Sequence, residues 1–75
     1  MYIISIKIGD RIEIAPDVQE ILTKYGKSIN TRLGIRGKRD IFEGNIILIY
    51  ENENIEEFLE EFKKFDEIKI NYMEM

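Results

Sequence analysis

Carboxylates, lysines, arginines and tyrosines carry all the chemistry this chain can offer, because its 75 residues contain no histidine, no cysteine and no tryptophan. A general base or nucleophile would therefore have to be a tuned carboxylate, lysine or tyrosine. No spacing nominates one. Most of the acids fall between Glu51 and Glu67, on the polar side of a helical pattern, where a run of charge is a solvated face. No catalytic residue is expected, and the chain reads as a non-enzyme. Thiolate and imidazole ligation of nickel or zinc is excluded by composition. Glu-x-x-Glu spacing leaves a hard cation open only in principle, so no metal site and no cofactor are expected.

Charge is split along the chain. Residues 21–39 carry Lys24, Lys27, Arg32, Arg36, Lys38 and Arg39 with no acid, whereas residues 51–75 carry nine acids against three lysines; the whole chain has a net charge of −4. Such asymmetry can guide a charged partner or a second copy of the chain. Arg36, Lys38 and Arg39, in a glycine-bounded connection at 36–44, could touch phosphates. Single-strand readers, however, stack bases on aromatics of their central strands. Here that stretch reads Gly-Asn-Ile-Ile-Leu-Ile-Tyr over 44–50. The alternative reading is an anion or nucleic-acid binding module that uses a basic open sheet face and the 36–44 hairpin, with overall acidity disfavouring nucleic acid.

The elements that must position these groups follow from periodicity. Tyr2 to Ile8 alternates, with Ile4, Ile6 and Ile8 on one face and Ile3, Ser5 and Lys7 on the other. Gly9 and Asp10 open a connector to Ala15, and Pro16 suits the first turn of a helix. Val18, Ile21, Leu22 and Tyr25 give that helix its apolar stripe, and Gly26 reads as a left-handed stop. A second strand, 28–35, places Ile29, Thr31, Leu33 and Ile35 on its core side and Asn30, Arg32 and Gly34 on the other. Residues 46–50 form a strand apolar on both faces. Asn54 and Glu57 fit a capping box. Ile55, Phe58, Leu59, Phe62 and Phe65 form the stripe of the second helix, and Glu60 is spaced to pair with Lys64. Ile68, Ile70 and Tyr72 alternate with Lys69, Asn71 and Met73 as the last strand.

The order strand, helix, strand, strand, helix, strand predicts an α+β ferredoxin-like βαββαβ sandwich in a single domain, residues 1–75. Right-handed crossovers place both helices on one face of a four-stranded antiparallel sheet. The other face should then carry Ser5, Lys7, Asn30, Arg32, Gly34, Lys69 and Asn71, crossed by an apolar row of Ile47 and Ile49. With Ile3 beside that row, an oligomer interface with an apolar centre and polar rim is expected. A chain this small, with no disulfide available, gains stability from self-association as a dimer or tetramer. The N-terminal apolar run has neither a basic leader nor a cleavage site, and no run approaches the ~20 residues of a membrane span. A cytoplasmic protein without membrane contact is expected.

One stretch is similar to a known family. Residues 15–36 (APDVQEILTKYGKSINTRLGIR) resemble the small regulators of the iron-only hydrogenase system, in which a helix ending in Tyr-Gly leads to a strand reading roughly Gly-Arg-Met-Gly. Arg32 and Gly34 match that motif, Thr31 and Leu33 depart from it, and Glu60 to Phe65 does not match the family's second helix. The resemblance implies an ACT-like fold, similar to the C-terminal domain of nickel-responsive repressors, acting as an oligomeric regulatory or ligand-sensing module. The repressors' nickel ligands are His and Cys and do not carry over. No DNA-binding segment fits beside the six elements, so regulation would run through a separate protein partner. ACT-like modules bind small effectors near the first strand-to-helix loop, which the resemblance places at Gly9, Asp10 and Arg11. Gly9 would permit close approach, with Asp10 gripping an amine and Arg11 a carboxylate. Arg32 is the second candidate, as a carboxylate partner on an edge strand.

Overall fold

The computed structural model describes residues 1–9, 11–36 and 44–75, with the side chains at 11, 12 and 36 outside that description. The elements are β1 (Tyr2–Ile8), α1 (Arg11–Lys24), a 3-10 turn (Gly26–Ser28), β2 (Ile29–Arg36), β3 (Gly44–Tyr50), α2 (Ile55–Glu60) and β4 (Ile68–Glu74). The strands form one antiparallel sheet in the order β2-β3-β1-β4. This is the ferredoxin-like arrangement, with both helices packed on one face.

The core lies between that face and the helices. Ile4, Ile6 and Ile8 of β1 and Ile46, Leu48 and Tyr50 of β3 meet Ile14, Val18, Ile21 and Leu22 of α1. Ile55 and Phe58 of α2, and Phe62 beyond it, complete the cluster. Phe58 is the hub of the aromatic part. It stacks on Tyr50 at 4.6 Å between centroids and meets Tyr25 and Phe62 edge-on, each at 5.2 Å. These offset and edge-on geometries suit ring quadrupoles.

Helix α1 begins at Arg11, five residues before the proline expected to start it, and Pro16 lies inside it. Ile14 explains the difference. It sits four residues before Val18, is 7% exposed, and extends the buried stripe by one turn toward β1. Burial of that turn outweighs the one backbone hydrogen bond that Pro16 removes. Gly26 is not a left-handed stop: no glycine among the described residues has positive φ, and the chain leaves α1 through the 3-10 turn.

At α2, the Asn54 side chain accepts from the Glu57 backbone N–H at 3.4 Å, as a capping box requires. The reciprocal bond is different. Asn54 N–H donates to Asn52 Oδ1 at 2.9 Å, and the Glu57 carboxylate instead accepts from the Asn54 side-chain amide. Regular helix ends at Glu60. Successive i→i+3 bonds then carry Phe62 and Phe65 onto the core. That tighter winding pairs Lys63 rather than Lys64 with Glu60, at 2.8 Å.

The largest departure from expectation is in β2. Ile29 pairs with Tyr50, but Thr31 pairs with Ile49, so the register slips at a bulge between them. A one-residue slip sends every later side chain to the opposite face. Arg32 and Gly34 therefore lie on the helix side, in line with Leu48 and Ile46. Thr31, Leu33 and Ile35 lie on the open side.

Candidate functional site

The corrected register builds two features on β2, one on each face of the sheet. Residues directly opposite in antiparallel strands share a face, so the open face can be read row by row. Thr31, Ile49, Ile3 and Met73 form one row; Leu33, Ile47, Ser5 and Asn71 the next; Ile35, Asn45, Lys7 and Lys69 the third. The expected interface residues Ile3, Ile47 and Ile49 are together at its centre, half-buried by their neighbours. Leu33, Ile35 and Met73 join them, 54%, 43% and 61% exposed. The patch is thus larger and more apolar than the sequence suggested. Its described charges are Lys7 and Lys69, directly opposite each other across β1 and β4.

On the helix side, α1 and the β2–β3 pair enclose a cleft of about 370 Å³. Ile8, Ala15, Val18 and Ile46 supply apolar lining; Gln19, Arg32 and Asn45 supply polar groups, and Gly34 leaves room. Arg32 Nη2 donates to Gln19 Oε1 at 2.5 Å. No carboxylate bonds Arg32 among the described residues. Arg32 and Gly34 were expected on the open face, with Arg32 as a carboxylate partner. They do stand two residues apart on one face, but in this cleft.

The remaining candidates are dispersed. Gly9 leaves β1 in close contact with the segment before β4, its N–H donating to Glu67 O at 3.1 Å. A Cβ there would come within 3.3 Å of that oxygen, so packing accounts for the glycine. Arg11 opens α1. Asp10, Lys38, Arg39 and the side chains of Arg11 and Arg36 lie outside the described residues.

Among the described acids, no three come together in a way that could hold a metal ion. Glu61 is the most engaged carboxylate. It accepts from Lys24 Nζ at 2.7 Å and from the Tyr25 hydroxyl at 3.0 Å, joining the end of α1 to the end of α2. Those bonds, the lysine's first, hold its carboxyl below the usual glutamate range. Burial, followed by the bond to Glu61, pushes the Tyr25 hydroxyl upward. This network clamps the helices, and Tyr25 and Glu61 also line, with Glu57 and Glu60, an open depression of about 260 Å³. Nor is any described helix long and apolar enough to cross a membrane.

The bulge is the signal that sequence reading missed. Nothing in Ile29-Asn30-Thr31 demands one, since the alternation reads through it unbroken. Only the register against β3 reveals it.

No protein-family model matches the sequence, and no curated protein matches it. Among solved structures, the uncharacterized protein TM1266 from Thermotoga maritima is similar, with a TM-score of 0.83 and 22% identity over 96% of this chain and 91% of that one. At that identity the likeness speaks to fold, and the fold is the ferredoxin-like α+β sandwich.

Proposed function

We propose that this chain is a non-enzymatic, self-associating regulatory module that senses a small molecule. The observation that carries the reading is the open sheet face, where Leu33, Ile35, Ile47, Ile49, Ile3 and Met73 form one apolar patch that no other described element covers. Contiguous exposed patches of this kind mark interaction sites. The occupant is a second copy. From strand rise and spacing the face measures roughly 23 by 19 Å, so two copies packed face to face would bury on the order of 1,000 Å², the lower bound for a specific interface. A two-fold axis across the strands sets each patch on its own image. It also sends the two Lys7–Lys69 pairs to opposite ends, where like charges do not meet.

The sensing half of the reading is supported by the Arg32 cleft, which has the size and mixed lining of a small-molecule site. A more specific role, that of a regulator of the iron-only hydrogenase system with an ACT-like fold, rests on the likeness of residues 15–36. It would place the chain in the cytoplasm, acting through a separate protein partner. Sedimentation velocity at micromolar concentration tests the assembly. Wild type is expected to run as a dimer or tetramer, and Ile47→Glu with Ile49→Glu as a monomer. An unchanged size for the double variant would refute the face as the interface.

A further inference from the structure

We infer that the cleft between α1 and the β2–β3 pair binds a small aliphatic carboxylate that lacks an amine, held by Arg32 and Gln19 against the apolar lining. This deepens the ligand-sensing half of the proposed function and is independent of the self-association half.

Arg32 supplies the first ground. In a chain with four more acids than bases, its guanidinium has no carboxylate partner among the described residues and one hydrogen bond, to Gln19 Oε1. That bond fixes the plane of the guanidinium, and no other hydrogen bond holds its donors among the described residues. A planar fork of this kind matches a carboxylate with two parallel hydrogen bonds. The Gln19 amide N–H group lies beside it as a further donor.

Gly34 is the second and independent ground. A glycine within a strand weakens it and usually marks a backbone requirement or a close approach. Neither holds here: its φ is not positive, and a Cβ built on it meets nothing within 4 Å. The residue leaves open space beside Arg32, next to Ile46 on the neighbouring strand. Ala15 and Gly44 line the same space. A branched aliphatic group fits against Ile8, Val18 and Ile46 with its carboxylate at Arg32.

The lining also selects against amines. No Asp or Glu is among the described residues around the cleft, so the described lining offers an α-ammonium no carboxylate to pair with beside the guanidinium. A 2-oxo acid is therefore preferred over the corresponding amino acid.

Calorimetric titration of wild type, Arg32→Gln, Arg32→Lys and Gly34→Val with 4-methyl-2-oxopentanoate, leucine and inorganic phosphate tests this. The 2-oxo acid is expected to bind wild type, with leucine and phosphate at least about tenfold weaker. Arg32→Gln is expected to weaken binding by about 10- to 100-fold, Arg32→Lys to restore little of it, and Gly34→Val to abolish it while the protein stays folded. No binding of the 2-oxo acid up to about 10 mM would overturn the inference. So would equal binding of leucine or phosphate, or wild-type affinity in Gly34→Val. Failure of this inference and failure of sensing are separable with a wider panel of amino acids, nucleotides and organic acids. Stabilisation by a different compound sinks only the carboxylate assignment, whereas no stabilisation by any compound sinks sensing as well.

Discussion

Replacing Gly34 by valine tests the placement of β2 with a number. On the helix side of the sheet, a Cβ at this position meets no atom within 4 Å, and the backbone already has φ in the range open to any residue. Glycine in a strand interior is less stable than alanine by roughly 0.5–1 kcal/mol. The β-branched preference adds a fraction of the ~1 kcal/mol span of strand propensities. No overpacking term offsets these gains, because the added methyls enter the cleft rather than packed atoms. Gly34→Val should therefore raise stability by about 1 kcal/mol, with Gly34→Ala giving about half. In a domain of 75 residues that is a rise in Tm of roughly 4–8 °C. Urea unfolding with an unchanged m-value is the assay. A loss of stability in both variants would mean that Gly34 stands against packed atoms, and the register beyond the bulge would be wrong.

Three further expectations concern the core and the helix ends. Tyr50 is fully buried, and its hydroxyl lies beside Ser28 without a hydrogen bond of good geometry, the Ser28 oxygen accepting from Asn52 at 3.1 Å; Tyr50→Phe keeps the stack on Phe58 and should change stability in thermal unfolding by less than about 1 kcal/mol, a larger loss meaning that the Ser28 contact is a full hydrogen bond. Asn54→Ala removes the cap of a six-residue helix and should destabilise by about 0.5–1 kcal/mol, the low end because the bond is long at 3.4 Å, whereas a neutral result in urea would show the cap idle. Glu61 has its folded carboxyl held below its unfolded value, so its contribution is present above the ordinary glutamate pKa of about 4.3 and is lost as pH falls through the lower folded value; Glu61→Gln should flatten that part of an acid-unfolding profile, and an unchanged acid limb would refute the clamp.

Much of this architecture was legible because one face of each element repeats a single signal. The isoleucines at 4, 6 and 8 alternate without interruption, and the stripe from Ile55 to Phe65 has helical spacing even where the helix tightens into turns. The apolar row of Ile47 and Ile49 was also readable, since β3 is aliphatic on both faces. Strand β2 was not. Its perfect alternation of Ile29, Thr31, Leu33 and Ile35 matches a core-facing strand, and period-2 logic cannot register one extra residue at Asn30. The slip moved Arg32 from an expected open-face position into the cleft and moved Leu33 and Ile35 out of the expected core. Both features argued for function depend on that move. The start of α1 was misread for a related reason: the preference of proline for a first turn is local, while the burial of Ile14 is tertiary.

Leu33 and Arg32 are adjacent in sequence and on opposite faces of the sheet, which makes them a matched pair of probes for self-association. Sedimentation equilibrium of wild type, Leu33→Glu and Arg32→Glu measures the association constant of each. Since Leu33 is 54% exposed in the single chain, a glutamate there leaves folding intact but lies buried and unpaired when two open faces meet. The expected result is a wild-type dimer or tetramer, at least about 100-fold weaker association for Leu33→Glu, and less than about threefold change for Arg32→Glu. A wild-type monomer at about 100 μM, or equal effects of the two substitutions, would contradict association through the open face.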